Sequence, residues 1–571
     1  MSQDNVTLGG KIKRTLVGKP RDIKDPSLFH KLALIPVLAW IGLGADGLSS
    51  ASYGPEEAFK VLGKHTYLAL ALAVATALTV FIISYAYSRI IEYFPSGGGG
   101  YIVATHTLGE KAGVLSGSAL LVDYMLTITV SIVSCGDAIF SFFPASYQPL
   151  KTPFEVLAIL FLVVINLRGI KESVTILAPI FIVFIVTHVL LIGYGILKHI
   201  PQIGVVASSV RSGFQGGLAT LGLGGMALLF LRAFSMGGGT FTGIEAVSNG
   251  LQIMREPRVQ NGKRTMVYLS TSLALTAGGI LVCYLLLGVG PVAGKTLNAV
   301  LAGQVFGGWS FGGILAIVTI FAEGALLLVA AQTGFVDGPR VMSNMAVDYW
   351  FPHRFASLSS RLTMQNGVLL MGGSAILLLI YSRGRITTLV VMYSINVFLT
   401  FSLSELGMSR FFIKNRRKEP HWKKHLPVHL TGLTVCLTIL IVTVLEKFTR
   451  GGWLTLVITA VVILLCYLIK GHYLRVRKGV RELDDLLVAI PHKGTYNAEP
   501  ADPQAMTAIQ LVSGYSGFGV HTFLSIIRGF PGLYKNFVFV SVAEVDAGAF
   551  KESESVGRLT LETKESLKKY V

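Results

Sequence analysis

Gly42-Leu43-Gly44-Ala45-Asp46-Gly47-Leu48-Ser49-Ser50-Ala51-Ser52-Tyr53 interrupts one apolar run, and Met236-Gly237-Gly238-Gly239-Thr240-Phe241-Thr242-Gly243-Ile244-Glu245 interrupts another. Both runs exceed the roughly 20 apolar residues a helix needs to cross a bilayer. Glycines, hydroxyls and an acid in mid-span free backbone groups that lipid cannot satisfy, so a neighbour, a water or a ligand must. Two such breaks in corresponding positions of two halves point to a transporter of inverted repeats, with its substrate held at the breaks.

Outward from these stretches, apolar windows and breakers predict about twelve spans: 32–61, 66–93, 113–143, 153–167, 172–197, 222–251, 265–290, 311–336, 366–382, 386–412, 428–445 and 453–470. The broken spans are the first and sixth, so spans 1 to 5 and 6 to 10 are expected as the two repeats. Composition agrees. Of 571 residues 52% are hydrophobic and 14% charged, against about 25% charged in soluble chains, and mean hydropathy is +0.63. That excludes a water-soluble enzyme.

The net charge of +18, from 49 Lys and Arg against 31 Asp and Glu, falls in loops between spans, as topology requires, and does not mark a nucleic-acid partner. Arg255, Arg258, Lys263 and Arg264, then Lys414, Arg416, Arg417, Lys418, Lys423 and Lys424, then Arg475, Arg477, Lys478 and Arg481 crowd one set of loops. Both termini are therefore expected to be cytoplasmic, in a plasma (inner) membrane, with the lipid bilayer as the first partner. Residues 1–31 lack the apolar core of a cleavable signal, so the first span is the expected insertion signal. Cys135, Cys283, Cys436 and Cys466 lie within spans and read as packing residues. The sequence is read as lacking a phosphate-binding loop and a histidine pair at zinc-ligand spacing, so neither catalysis nor a cofactor is expected, and an ion gradient or the membrane potential must supply the energy.

Three segments are expected: a cytoplasmic stretch at 1–30, a transmembrane domain at 31–475 and a cytoplasmic α/β domain at 476–571. In the last, Ala508–Val512 reads as a strand, Gly514–Gly519 as a structural turn, His521–Arg528 as a helix and Phe537–Val542 as a second strand. So small a sheet is expected to be incomplete, finished by more chain or by a partner.

Acids within spans each cost about 2.5–3.5 kcal/mol near the helix centre, which something must offset. Asp46 sits in the first break and Glu245 follows the second. Two converging carboxylates beside freed carbonyls suit a desolvated monovalent cation, a proton or an amine, and not an anion. Asp46 could equally cap the second half-helix. Tyr53, two turns beyond Asp46, and Thr127 with Ser131, one turn apart in span 3, add oxygens, as does Tyr393 in span 10. Asp123 and Glu323 are further acids suited either to a proton relay or to pairing with a neighbouring helix. Asp137 and Glu405, nearer span ends, are expected to be wet.

Phe94-Pro95-Ser96-Gly97-Gly98-Gly99-Gly100-Tyr101, Phe241-Thr242-Gly243-Ile244-Glu245, and Asp337-Gly338-Pro339-Arg340 with Met345-Ala346-Val347-Asp348 after span 8 together resemble the amino acid/polyamine/organocation (APC) superfamily over about residues 31–475. Within it, Asp46-Gly47-Leu48-Ser49-Ser50-Ala51-Ser52-Tyr53 and Gly451-Gly452-Trp453 look most like the KUP and KimA-type potassium/proton symporters. The resemblance implies an all-α polytopic fold with a LeuT-type 5+5 inverted repeat, broken helices 1 and 6 and a C-terminal α/β segment. It implies potassium held by Asp46, Tyr53, Thr127, Ser131, Thr242, Glu245 and Tyr393; the candidates for proton coupling, read from the acids within the spans, are Asp46, Glu245, Asp123 and Glu323. The Gly-Asp-x-x-Thr-Ser-Pro motif of KUP members is missing, and the span 8 signature is shared with amino acid permeases. A proton-coupled amino acid or amine permease is therefore the alternative, although Asp46 would repel a substrate carboxylate. Some family members dimerise through the tail and bind a cyclic dinucleotide there, which makes a homodimer and such a regulator the further partners implied.

Overall fold

The computed structural model describes residues 33–95, 97, 99–487, 502–543 and 553–570. The first span comes in two pieces, α1 (Pro36–Ser49) and α2 (Gly54–Leu62), joined by a 3-10 turn at Ser50–Ser52. Pro36 opens α1, where its missing N–H would have found no intrahelical partner anyway. Then come α3 (Ala69–Tyr93), the short α4 (Gly99–Leu108), α5 (Glu110–Phe140), α6 (Lys151–Arg168), α7 (Ile170–His199) and α8 (Ile203–Met236). A 3-10 turn at Gly237–Phe241 and an extended Thr242 separate α8 from α9 (Ala246–Asn249), so the sixth span is also broken. The remainder runs α10 (Arg258–Leu287), α11 (Leu297–Phe306), α12 (Gly312–Val347), α13 (Gln365–Ser382), α14 (Ile386–Lys414), α15 (Trp422–Lys447) and α16 (Gly452–Leu487).

Ten segments among the described residues are long and apolar enough to cross a membrane, and one of them, Ala178–Asn249, takes in both the fifth and the sixth span. The first span, in pieces too short to qualify, completes the twelve. Spans five apart pack together: the two breaks touch, α3 lies along α10 and α5 along α12. Pairing of this kind is what two repeats facing each other produce. Helix α5 is buried almost throughout, whereas α15 and α16 present Leu445, Leu464 and Leu468 outward, as helices on a lipid-facing rim do.

Two features differ from expectation. Asp337-Gly338-Pro339-Arg340, expected after span 8, lies inside α12, which continues through Pro339 to Val347. Helix α16 runs to Leu487, past the change of composition near residue 476. Beyond it, β1 (Thr507–Leu511) pairs in parallel with β2 (Asn536–Val540) around α17 (Gly517–Gly529), and α18 (Ser553–Lys568) follows. The glycine-rich turn is engaged by its own chain. Ser516 Oγ caps α17 by accepting from Gly519 N at 3.2 Å, and Asp484 Oδ1 on α16 accepts from Gly517 N at 2.5 Å.

Candidate functional site

The breaks are clasped by one hydroxyl, for Ser50 Oγ lies 2.8 Å from the Thr240 carbonyl and 2.5 Å from that of Gly47. Asp46 is buried in the last turn of α1, one turn before the break, with its carbonyl taken by Ser49 Oγ at 2.8 Å. The capping alternative fails: the N-cap of α2 is Tyr53, and no side chain caps it. Asp46 Oδ1 has no hydrogen-bond partner among the described residues. Gly243 closes the second break onto it. Its φ is +79°, and a Cβ there would stand 2.4 Å from Gly47 N and 2.8 Å from Asp46 Oδ2, so only glycine permits the approach. Glu245, also buried, receives the amides of Gly243 and Glu245 on its carboxylate while its Oε2 has no partner among the described residues.

Hydroxyls complete the cluster. Tyr53 Oη is 3.4 Å from Thr242 Oγ1, which donates to the Gly239 carbonyl at 2.7 Å. Tyr53 and Tyr393 share a hydrogen bond, and Thr127 Oγ1 donates to Tyr393 Oη at 3.2 Å, bringing α14 and α5 into the group. Asp123, one turn before Thr127, is buried with Oδ1 unpartnered among the described residues, and its charged neighbours are Glu245 and Asp46. Ser131 is buried one turn past Thr127 on the same helix. Glu323 stands apart. Asn298 Nδ2 donates to it at 3.1 Å, and His188 Nε2 is 3.7 Å away.

Sequence reasoning missed Asp337, which is wholly buried, has neither oxygen hydrogen-bonded among the described residues, and is a charged neighbour of both Asp46 and Glu245. Arg340 Nη1 is 3.7 Å from it. Ending span 8 at residue 336 hid it, although the apolar pattern continues past Pro339. Glu405 is not wet: it is fully buried, with His429 Nδ1 2.7 Å from its Oε2. Asp137 keeps part of its side chain exposed and pairs with Lys151. His421, His425 and His429 do stand at four-residue spacing, contrary to the reading of the sequence. Even so, no group of three or more His, Cys, Asp or Glu among the described residues is placed to hold a metal ion.

A cavity of about 470 Å³ descends to the cluster from the end of the bundle that carries the loop at 293–296, with Ser52, Tyr53, Ser134 and Glu323 in its wall. Glu56 and Asp137 also line it, Glu56 paired with Lys60 at 2.6 Å and Asp137 with Lys151. Carboxylate, hydroxyl and carbonyl oxygens in a buried pocket attract and strip a cation, and oppose an anion.

A protein-family model described as amino acid permease matches residues 47–466. The potassium transporter KimA of Bacillus subtilis (strain 168) is 34% identical over 479 residues, spanning 83% of this chain and 76% of that protein. Among solved structures, a mutant form of the manganese transporter of Eremococcus coleocola aligns with TM-score 0.43 and 14% identity over 76% of this chain and 93% of that one. A second mutant form of it aligns with TM-score 0.44 and 15% identity over the same shares.

Proposed function

The chain belongs to the amino acid permease family of the APC superfamily, with KimA-type potassium transporters among its relatives, and from that premise we propose that it is a secondary active importer of potassium driven by proton symport. The observation that carries this is the pair of buried carboxylates at the two breaks, each with an oxygen left unpartnered among the described residues. Two such acids are costly in a span unless a cation or proton offsets them. Potassium sheds its water among Asp46, Tyr53, Thr127, Ser131, Thr242, Glu245 and Tyr393, and protons are carried among Asp46, Glu245, Asp123 and Glu323. An amino acid would set its carboxylate against Asp46. The membrane is the plasma membrane, both termini are cytoplasmic, and the cavity opens outward. Residues 31–475 form the transport domain. The tail is a cytoplasmic domain that serves dimerisation and regulation by a cyclic dinucleotide.

The test is uptake by reconstituted vesicles held inside-negative at equal pH. One potassium with one proton carries two charges, worth about 4.6 kcal/mol per 100 mV, and so supports a potassium gradient of roughly three decades. Steep, saturable potassium or rubidium accumulation that alanine and arginine do not inhibit is the expected result. Concentration of an amino acid with indifference to potassium would overturn the reading.

A further inference from the structure

His421, His425 and His429 recur every fourth residue, at the start of α15 and on one face of it. They pass from exposed to fully buried: His421 is exposed, His425 is 7% exposed and His429 is 0% exposed. The His421 and His425 rings meet edge to face with centroids 6.4 Å apart. The His425 and His429 rings both lie against Phe412 of α14, with centroid distances of 5.6 and 5.4 Å. At the inner end His429 Nδ1 meets Glu405 Oε2, in a space kept open by Gly432, where a Cβ would stand 3.1 Å from the Glu405 carboxyl carbon.

Past Glu405 the polar line continues inward. The Tyr87 hydroxyl, fully buried on α3, has Glu245 and Glu405 as its charged neighbours. Tyr87 and Ser404 share a hydrogen bond, while His429 Nε2, Glu405 Oε1 and Glu245 Oε2 are buried without a partner among the described residues. One such atom is ordinary, but buried polar atoms are generally satisfied by protein or water. Three such atoms, on Glu245, Glu405 and His429, with the bonded Tyr87 and Ser404 among them, mark a path from a substrate acid to the histidine ladder through which protons can hop, as chains of acids and histidines do in pumps and transporters.

We propose that Glu245, Tyr87, Glu405, His429, His425 and His421 form the route by which the symported proton leaves the cation site for the cytoplasm. This rests on the symport reading above and adds the exit that symport requires. As Glu245 gives its proton to the Tyr87 oxygen, Tyr87 gives its own to Glu405, so the phenol ends neutral. Glu405 passes a proton to His429 Nδ1, and the resulting imidazolium releases its Nε2 proton toward His425 and thence to His421 and water. The groups facing the route are Tyr85, whose hydroxyl is 3.0 Å from His425 Nδ1, then Arg89 and Glu92 from α3, and Lys424 and Cys436 from α15.

A pair that merely pinned α14 to α15 would affect folding and every mode of transport alike. Proton exit is instead needed for net uptake but not for exchange of external rubidium for internal potassium, in which the carrier stays protonated. In reconstituted vesicles Glu405→Gln, His429→Gln and Tyr87→Phe should each lower potassium-driven proton influx and net uptake by about a hundredfold, the scale of a lost positioned proton carrier. Exchange should continue at the wild-type rate, and the pH dependence of the residual net uptake should flatten. Wild-type proton flux in all three variants overturns the route, as does parallel loss of exchange and net uptake in all three. Wild-type vesicles that take up potassium with no proton flux overturn proton symport and the route with it, whereas wild-type proton flux in the variants overturns the route alone. Wild-type vesicles that ignore potassium overturn the symport reading itself.

Discussion

Asp46 and Glu245 each keep one carboxylate oxygen without a hydrogen-bond partner among the described residues, so the charge on those atoms matters more than their shape. Asp46→Asn and Glu245→Gln preserve volume and remove the charge. Each should abolish potassium uptake, leaving inserted, folded protein with an unchanged elution profile on size-exclusion chromatography. Normal uptake by either variant would remove that acid from the mechanism. Both residues were legible from sequence because an acid in an apolar run is conspicuous. Asp337 was not, because a proline two residues later resembles the end of a helix, and only tertiary packing carries α12 through it. Glu405 was misjudged for a related reason. Distance from a span end does not measure wetness when a neighbouring helix supplies a buried histidine.

Among the elements, the two breaks behave as one unit, joined by Ser50 and by the approach of Gly243 to Asp46 and Gly47. Their existence was evident from the glycine and hydroxyl runs, yet where the second half-helix begins was not, since Asp46 is the better N-cap by residue type while the structure makes Tyr53 the N-cap of α2, with no side-chain cap. Gly243→Ala tests the joint. At φ +79° with backbone at 2.4 Å, the added methyl strains the chain and forces the breaks apart, at a cost of about 1–3 kcal/mol. The expected outcome is a lower unfolding temperature together with loss of uptake. Retention of both would show that the breaks tolerate separation.

Across the whole molecule, the proposed ligands fall on spans 1, 3, 6 and 10, all upstream of the tail. Deleting residues 482–571 should therefore leave the transport chemistry intact and change regulation or assembly. Uptake normalised to inserted protein, with particle size measured alongside, checks this. Complete loss in a well-inserted truncation of wild-type size would make the tail part of the mechanism. The βαβ order of the tail was readable from its alternation and turn residues, but its attachment was not. Asp484, on a helix that outlasts the hydrophobic stretch, binds the amide of Gly517, and a contact between such distant residues leaves no periodic mark in either segment.

The four cysteines are free, and all are buried. A water-borne thiol reagent therefore meets a nearly silent background on this protein. A single cysteine exchanged for Ser134, in the wall of the cavity that leads to the breaks, becomes a lone chemical reporter. Its rate of modification in sealed vesicles, with and without potassium, follows the opening of the pathway directly, with no need to remove a native thiol first.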